Sequence, residues 1–166
     1  MAKTDMDVQH AKVWELAKTV RIAMLVTKSN DKFAARPMSA LIREDQGEGV
    51  VWFITDREST KALQAKDDHD GLLSFSNGLR GDHVVLGGVQ SVVDDRSKLK
   101  SLWSIGADTC FPHCPTDPAA ILLRFQPATA EYWTGGSNII SFALGFAKAK
   151  LTGTPPNIGD HAKIAM

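Results

Sequence analysis

A chain of 166 residues that is 43% apolar and 23% charged has the make-up of a soluble globular protein with one core of ordinary size. Its 19 basic and 19 acidic residues cancel, which excludes a global electrostatic case for nucleic acid or an anionic membrane, so any anion site must be local. Two cysteines are too few for a disulfide scaffold, the first ten residues lack an apolar signal core, and the longest uncharged stretch, 132–147, is short for a membrane span; one cytoplasmic domain over residues 1–166 is expected.

From residue 7 to 20, Val8, Ala11, Trp14, Leu16 and Ala17 fall at helical spacing behind an Asp cap, which predicts a first amphipathic helix. Residues 21–27 (RIAMLVT) and the run that starts at Phe33 read as strands joined by Ser-Asn-Asp turn chemistry. A second hairpin is expected to turn at 45–49 and to bring 50–55 against 34–38. A helix then opens near Ser59, and 71–76 and 83–93 read as a strand pair with Gly87-Gly88 marking a bulge. Asp94-Asp95 starts a helix towards residue 105, a Pro-rich loop follows, and 119–125 and 128–133 read as two further strands. Residues 139–151 have the pattern of a last helix, and 152–166 form a tail without clear periodicity. Six or seven short strands with few helices predict a mainly β fold, a small antiparallel barrel.

Several chemistries are set aside on their motifs. Gly47 and Gly49 have the spacing of a dinucleotide fingerprint, but Trp52 stands where its third glycine belongs. No G-x-x-x-x-G-K-[ST] loop and no G-x-S-x-G elbow is present. Cys110, His113 and Cys114 supply three soft ligands without a second pair to close a tetrahedral site, so no metal is expected. Trp14, Trp52, Trp103 and Trp133 taken singly are core or interface residues.

The stretch 33–61 stands apart. Arg36 lies inside a strand, Thr55 ends the next run, and Ser59, Thr60 and Lys61 sit at a helix start, where backbone N–H groups add to side-chain charge. These are the donors of an anion cradle for a phosphate ester; the bland alternative is that Arg36 pairs with Glu44 or Asp56 and that Lys61 is a solvated helix residue.

Three segments in order, A-R-P-M at 35–38, W-F-I-T-D-R-E-S-T-K at 52–61 and E-Y-W-T-G-G at 131–136, resemble the flavin-binding split-barrel family related to pyridoxamine 5′-phosphate oxidase, above all its general stress protein branch. The resemblance implies a split antiparallel barrel and a homodimer with FMN at the interface, FAD being the alternative nucleotide. It places Arg36, Ser59, Thr60 and Lys61 on the phosphate, Ile54 and Thr55 on the flavin, and Pro37 to Leu41, with Met38 and Ser39 among them, along the isoalloxazine edge. Trp133 and His83 would come from the other subunit. The chain also departs from the oxidases. Ile139 and Ser141 stand where those enzymes have the Arg and His that hold phosphorylated pyridoxamine, Ala143 replaces a second Arg, and Leu41 and Thr60 replace basic residues. The resemblance therefore implies a flavin-dependent oxidoreductase with an unidentified small-molecule substrate and no acid, base or nucleophile to name. A non-catalytic flavin-binding stress protein, or a haem or deazaflavin binder on the same barrel, are the alternatives.

Overall fold

A capping box opens the first element. Thr4 Oγ1 accepts from the Asp7 N–H at 3.3 Å and the Asp7 carboxylate accepts from the Thr4 N–H at 3.0 Å, so helix α1 spans Asp5–Val20 and begins two residues before the expected Asp7. The computed structural model describes residues 4–29, 31–43, 49–103, 107, 111, 113–135 and 159–166. The predicted helix at 139–151, with Ile139, Ser141 and Ala143, lies outside the described residues, as do Glu44 and Cys110.

Seven strands follow: β1 (Ile22–Ser29), β2 (Lys32–Ser39), β3 (Val51–Asp56), β4 (Asp70–Asn77), β5 (Asp82–Val93), β6 (Ala120–Trp133) and β7 (His161–Ala165). Helix α2 (Thr60–Asp67) lies between β3 and β4, and α3 (Arg96–Leu102) between β5 and β6. All pairings are antiparallel, in the order β2-β1-β4-β5-β6-β3, with β7 added to β6. The path curls so that its two ends meet at one bridge, Leu41 with Trp52, held by N–H···O bonds of 2.8 and 3.0 Å. That bridge corrects the expected second hairpin, because β2 and β3 share no ladder among the described residues. β3 pairs instead with β6, from Val51 opposite Phe125 to Asp56 opposite Ala120.

The two strands expected at 119–125 and 128–133 are one. Gln-Pro reads locally as a break, but Pro127 stands opposite Gly88 at the Gly87/Gly88 bulge, a place where a strand tolerates proline. A Cβ on Gly88 would strike the Gln126 carbonyl and come within 2.8 Å of Pro127 Cα, so the strand stays continuous only beside glycine. The tail also acquires an element: β7 buries Ile164 against β6, and the Ala165 carbonyl lies 2.7 Å from His10 Nε2 on α1.

Inward residues of the sheet, among them Leu25, Leu73, Phe75, Leu86, Phe53, Leu123 and Phe125, meet Val13, Leu16 and Ala17 of α1 in the main core. A second cluster lies on the other face of β3 and β6, where α3 covers Trp52, Ala120 and Leu122. β3 is thus buried on both faces, which is why its sequence VWFIT is nearly all apolar rather than alternating.

Candidate functional site

Strand alternation aims Arg36 inward. Its ladder partner is Leu25, which in turn faces Leu73, and both are fully buried, whereas Ala35 and Pro37 on either side are exposed. β2 is the terminal strand of the path, so the side chain emerges at the barrel mouth beside α2. There Arg36 Nη2 donates to Thr27 Oγ1 at 2.8 Å and to Gln64 Oε1 at 3.1 Å. Thr27, itself 1% exposed, donates its own hydroxyl hydrogen bond to Gln64 Oε1 at 2.6 Å. The other terminal guanidinium nitrogen, Nη1, is buried and has no hydrogen-bond partner among the described residues.

Lys61 completes the cationic end. Burial first, and then the Arg36 charge, push its ammonium below the ordinary lysine value, with Asp56 opposing; burial also lowers Arg36. Neither cation forms an ion pair among the described residues: Asp56 spends one carboxylate oxygen on the Glu58 N–H at 2.7 Å. Two mutually repelling, partly desolvated cations keep a net positive charge after the Asp56 carboxylate that acts on Lys61 is counted, which disfavours the empty state and favours an anion.

Ser59 caps α2 by its backbone position, while its hydroxyl donates to the Asp56 carbonyl at 2.6 Å and lies 3.2 Å from Thr55 Oγ1. The N–H groups of Thr60 and Lys61, first in the helix, have no intrahelical acceptor and add positive potential next to the Lys61 side chain. Thr55 is 3% exposed and shares the inner face with Phe53, which is likewise buried. Arg36, Thr55, Ser59, Thr60 and Lys61 therefore belong to one neighbourhood. Met38 packs inward on the main core, and Ile54 faces the second cluster on the opposite side of the strand from Thr55.

His83 and Trp133 occupy a different surface. They are ladder partners on β5 and β6, and both point outward. His83 Nδ1 lies 3.1 Å from Ser76 Oγ, while the Trp133 ring stacks on His161 at 5.1 Å with a 12° tilt, and His161 Nε2 lies 2.8 Å from Glu131 Oε1. Of the four tryptophans, only Trp133 is exposed, at 38%. Two residues after it the chain passes close to the β4–β5 connection: a Cβ on Gly135 would strike the Arg80 carbonyl, which accounts for glycine at the end of the E-Y-W-T-G segment. Within one chain the barrel wall separates this outward row from the inward cations.

Three residues escaped the sequence reading. Gln64 stands one helical turn from Lys61, a signal that was available in the i, i+3 spacing. Thr27 sits at an inward position of β1, two residues beyond Leu25, which the period-2 pattern could have flagged. His161 gave no local signal at all.

The order of the strands, the single bridge and the mouth beside it define the class: a split antiparallel β-barrel. The chain belongs to the family described as pyridoxamine 5′-phosphate oxidase like, whose model matches residues 8–157. Among solved structures it is similar to a protein from Jannaschia sp. CCS1 named for general stress protein 26, with a TM-score of 0.77 and 29% identity over 96% of this chain and 98% of that one. A general stress FMN/FAD binding protein from Xanthomonas citri superposes with a TM-score of 0.69 at 25% identity, covering 78% of this chain and 91% of that chain. Protein bli-3 of Neurospora crassa is 26% identical over 154 residues, 87% of this chain and 74% of that protein. No helix among the described residues is long and apolar enough to cross a membrane.

Proposed function

We propose that this protein binds FMN, with FAD as the alternative nucleotide, and seats the flavin phosphate on Arg36, Lys61 and the start of α2. One observation carries the reading: Arg36 Nη1 is buried without a partner among the described residues, beside the Lys61 cation that repels it, a cost that a phosphate dianion would relieve. The name of the Xanthomonas citri relative supports a flavin as the bearer of that phosphate. Thr55 and Ser59 hydroxyls, 3.2 Å apart, are the further polar groups on this side, and Pro37, Met38, Ser39 and Ile54 flank the path of the ring system in the family resemblance.

The functional unit in this reading is a homodimer. Ile22, Met24, Leu72 and Val89 point outward from adjacent strands β1, β4 and β5 and are 48%, 40%, 36% and 47% exposed, an apolar face suited to a second copy. Trp133 and His83 project from that same outer surface. A flavin on the inward cations of one subunit is then contacted by Trp133 and His83 of its partner.

When bound, the flavin supplies the electron-transfer chemistry, and the protein supplies binding and orientation. The reaction proposed is that of a flavin-dependent oxidoreductase on a small substrate other than pyridoxamine 5′-phosphate. A second reading, a non-catalytic flavin-binding stress protein, is favoured by the polar set that one chain places at the mouth, which among the described residues holds two cations, hydroxyls and an amide but no imidazole, and whose carboxylate, Asp56, accepts from the Glu58 N–H.

Titration of flavin-stripped protein with FMN and with riboflavin tests the binding. FMN should bind at least tenfold more tightly, since riboflavin lacks the dianion and one charge-assisted bond contributes about 1.5–3 kcal/mol. Equal affinity for the two would sink the proposal. The visible spectrum of protein purified from cells separates flavin from haem, and oxidation of NADH or NADPH by flavin-loaded protein separates the enzyme from the carrier.

A further inference from the structure

Buried guanidinium groups are ordinarily matched by a carboxylate. Arg36 is matched instead by two neutral acceptors, Thr27 Oγ1 and Gln64 Oε1, although a Glu at position 64 would have the same length and shape. The polarity of the network follows from chemistry: a guanidinium has only donors, so the Gln64 atom facing it must be the carbonyl oxygen, and the Thr27 hydroxyl accepts from Arg36 while donating to that same oxygen. The two shorter Nη2 bonds go to these acceptors, with the Ala34 carbonyl a third neutral neighbour at 3.5 Å, which fixes the guanidinium plane and leaves the two hydrogens of Nη1 without an acceptor among the described residues.

We infer that Gln64 and Thr27 are positioning residues for a phosphate dianion: they clamp Arg36 without neutralising it, so that its charge and its Nη1 edge remain available to the ligand. This rests on the flavin-phosphate reading and adds to it the residues that set the charge selectivity. The charge count supports it. Arg36 and Lys61 contribute two positive charges, of which the Lys61 charge is partly offset by the Asp56 carboxylate, so the Arg36 charge is the one left whole for a phosphate monoester, which carries nearly two negative charges above its second pKa of about 6. A carboxylate at position 64 would claim that Arg36 charge for an internal ion pair. Gln64 reaches this place because it lies one turn after Lys61 on α2, with the neighbouring Ala62 and Ala65 fully buried, so the helix delivers amide and ammonium to the same end of the barrel.

The inference makes opposite predictions for ligand and fold, which a merely structural role would not. In Gln64→Glu the Arg36 contact becomes an ion pair, so the melting temperature of the flavin-free protein stays level or rises. FMN affinity should fall about 10- to 150-fold, equivalent to one charge-assisted bond, while riboflavin affinity stays within about twofold of wild type by the same charge argument. Thr27→Val, which removes the hydroxyl, should also weaken FMN selectively, and Thr27→Ser should restore it. Inorganic phosphate provides a probe free of flavin: it should raise the melting temperature of wild type more than that of Gln64→Glu. Wild type that prefers FMN over riboflavin, with Gln64→Glu keeping the same preference, overturns the role of Gln64 alone. Wild type that prefers neither flavin and gains no stability from phosphate overturns the phosphate site and this inference together. A Gln64→Glu protein that loses both flavins equally, or whose melting temperature falls in step with FMN affinity, makes Gln64 an ordinary structural residue and overturns the inference.

Discussion

Removal of the Arg36 guanidinium separates binding from folding. In Arg36→Ala the phosphate loses the Nη1 edge, worth at least one charge-assisted hydrogen bond or about 1.5–3 kcal/mol, so FMN should bind roughly 10- to 150-fold more weakly. Riboflavin has no group for that edge and should be affected by less than about twofold. Stability should change little. The Thr27 to Gln64 hydrogen bond of 2.6 Å survives the substitution and keeps both acceptors partnered, and the folded protein is relieved of a cation whose charged form burial disfavours. The two terms oppose each other, which puts the net change within about 1 kcal/mol. Isothermal titration with each flavin, beside thermal unfolding of the flavin-free protein, reads all three quantities. Equal losses for FMN and riboflavin, or a collapse in melting temperature without selective loss of FMN, would make Arg36 a structural residue and refute the reasoning.

Other outcomes are expected on the same basis. FMN affinity should rise with pH through about 6, as the phosphate becomes a dianion. It should decline again on the alkaline side before the ordinary lysine value of 10.5, because Lys61 sheds its proton early in the free protein; a flat profile across both limbs contradicts the two-cation site. Mixed dimers of Arg36→Ala/Lys61→Ala chains with Trp133→Ala chains should regain one intact site, whereas each variant alone binds FMN poorly; failure of the mixture to recover binding rules out a site shared between subunits. Flavin-loaded protein should turn over pyridoxamine 5′-phosphate poorly, since the family resemblance puts Ile139 and Ser141 where the oxidases have their Arg and His, and rapid formation of pyridoxal 5′-phosphate would contradict this. Tyr132 is the chain's one tyrosine, so phenolate absorbance titrates it directly. Burial, followed by the Asp160 carboxylate that accepts its hydroxyl at 3.2 Å, raises it above 10.0. Its stabilising contribution is complete below pH 10.0 and is lost as pH climbs through the folded value. Asp160→Asn should bring the midpoint down, and a wild-type midpoint at or below 10.0 would count against the contact.

Much of this protein was decided by local chemistry and could be read without coordinates. Period-2 alternation in residues 32–39 places Arg36 opposite in sense to Pro37 and Ser39, and a polar triplet after an apolar run starts α2 where the cations gather. Glycine pairs mark their own bulge, and the E-Y-W-T-G segment requires glycine because a neighbouring carbonyl leaves no room for a side chain. Which strands pair is another matter. A turn-like sequence at 45–49 favours a hairpin by proximity alone, but β3 is apolar on both faces and is satisfied only by a long ladder to β6 with α3 packed over its outer side. Pro127 looks like a strand break until Gly88, some forty residues away, accommodates it. β7 is five residues long, too short to show a period, and exists because β6 offers a free edge and α1 a histidine for its last carbonyl. The clamp on Arg36 is likewise a product of the tertiary structure. Thr27, Arg36 and Gln64 come from a strand, its hairpin partner and a helix, and a hydrogen-bond network among such distant residues has no sequence period to betray it.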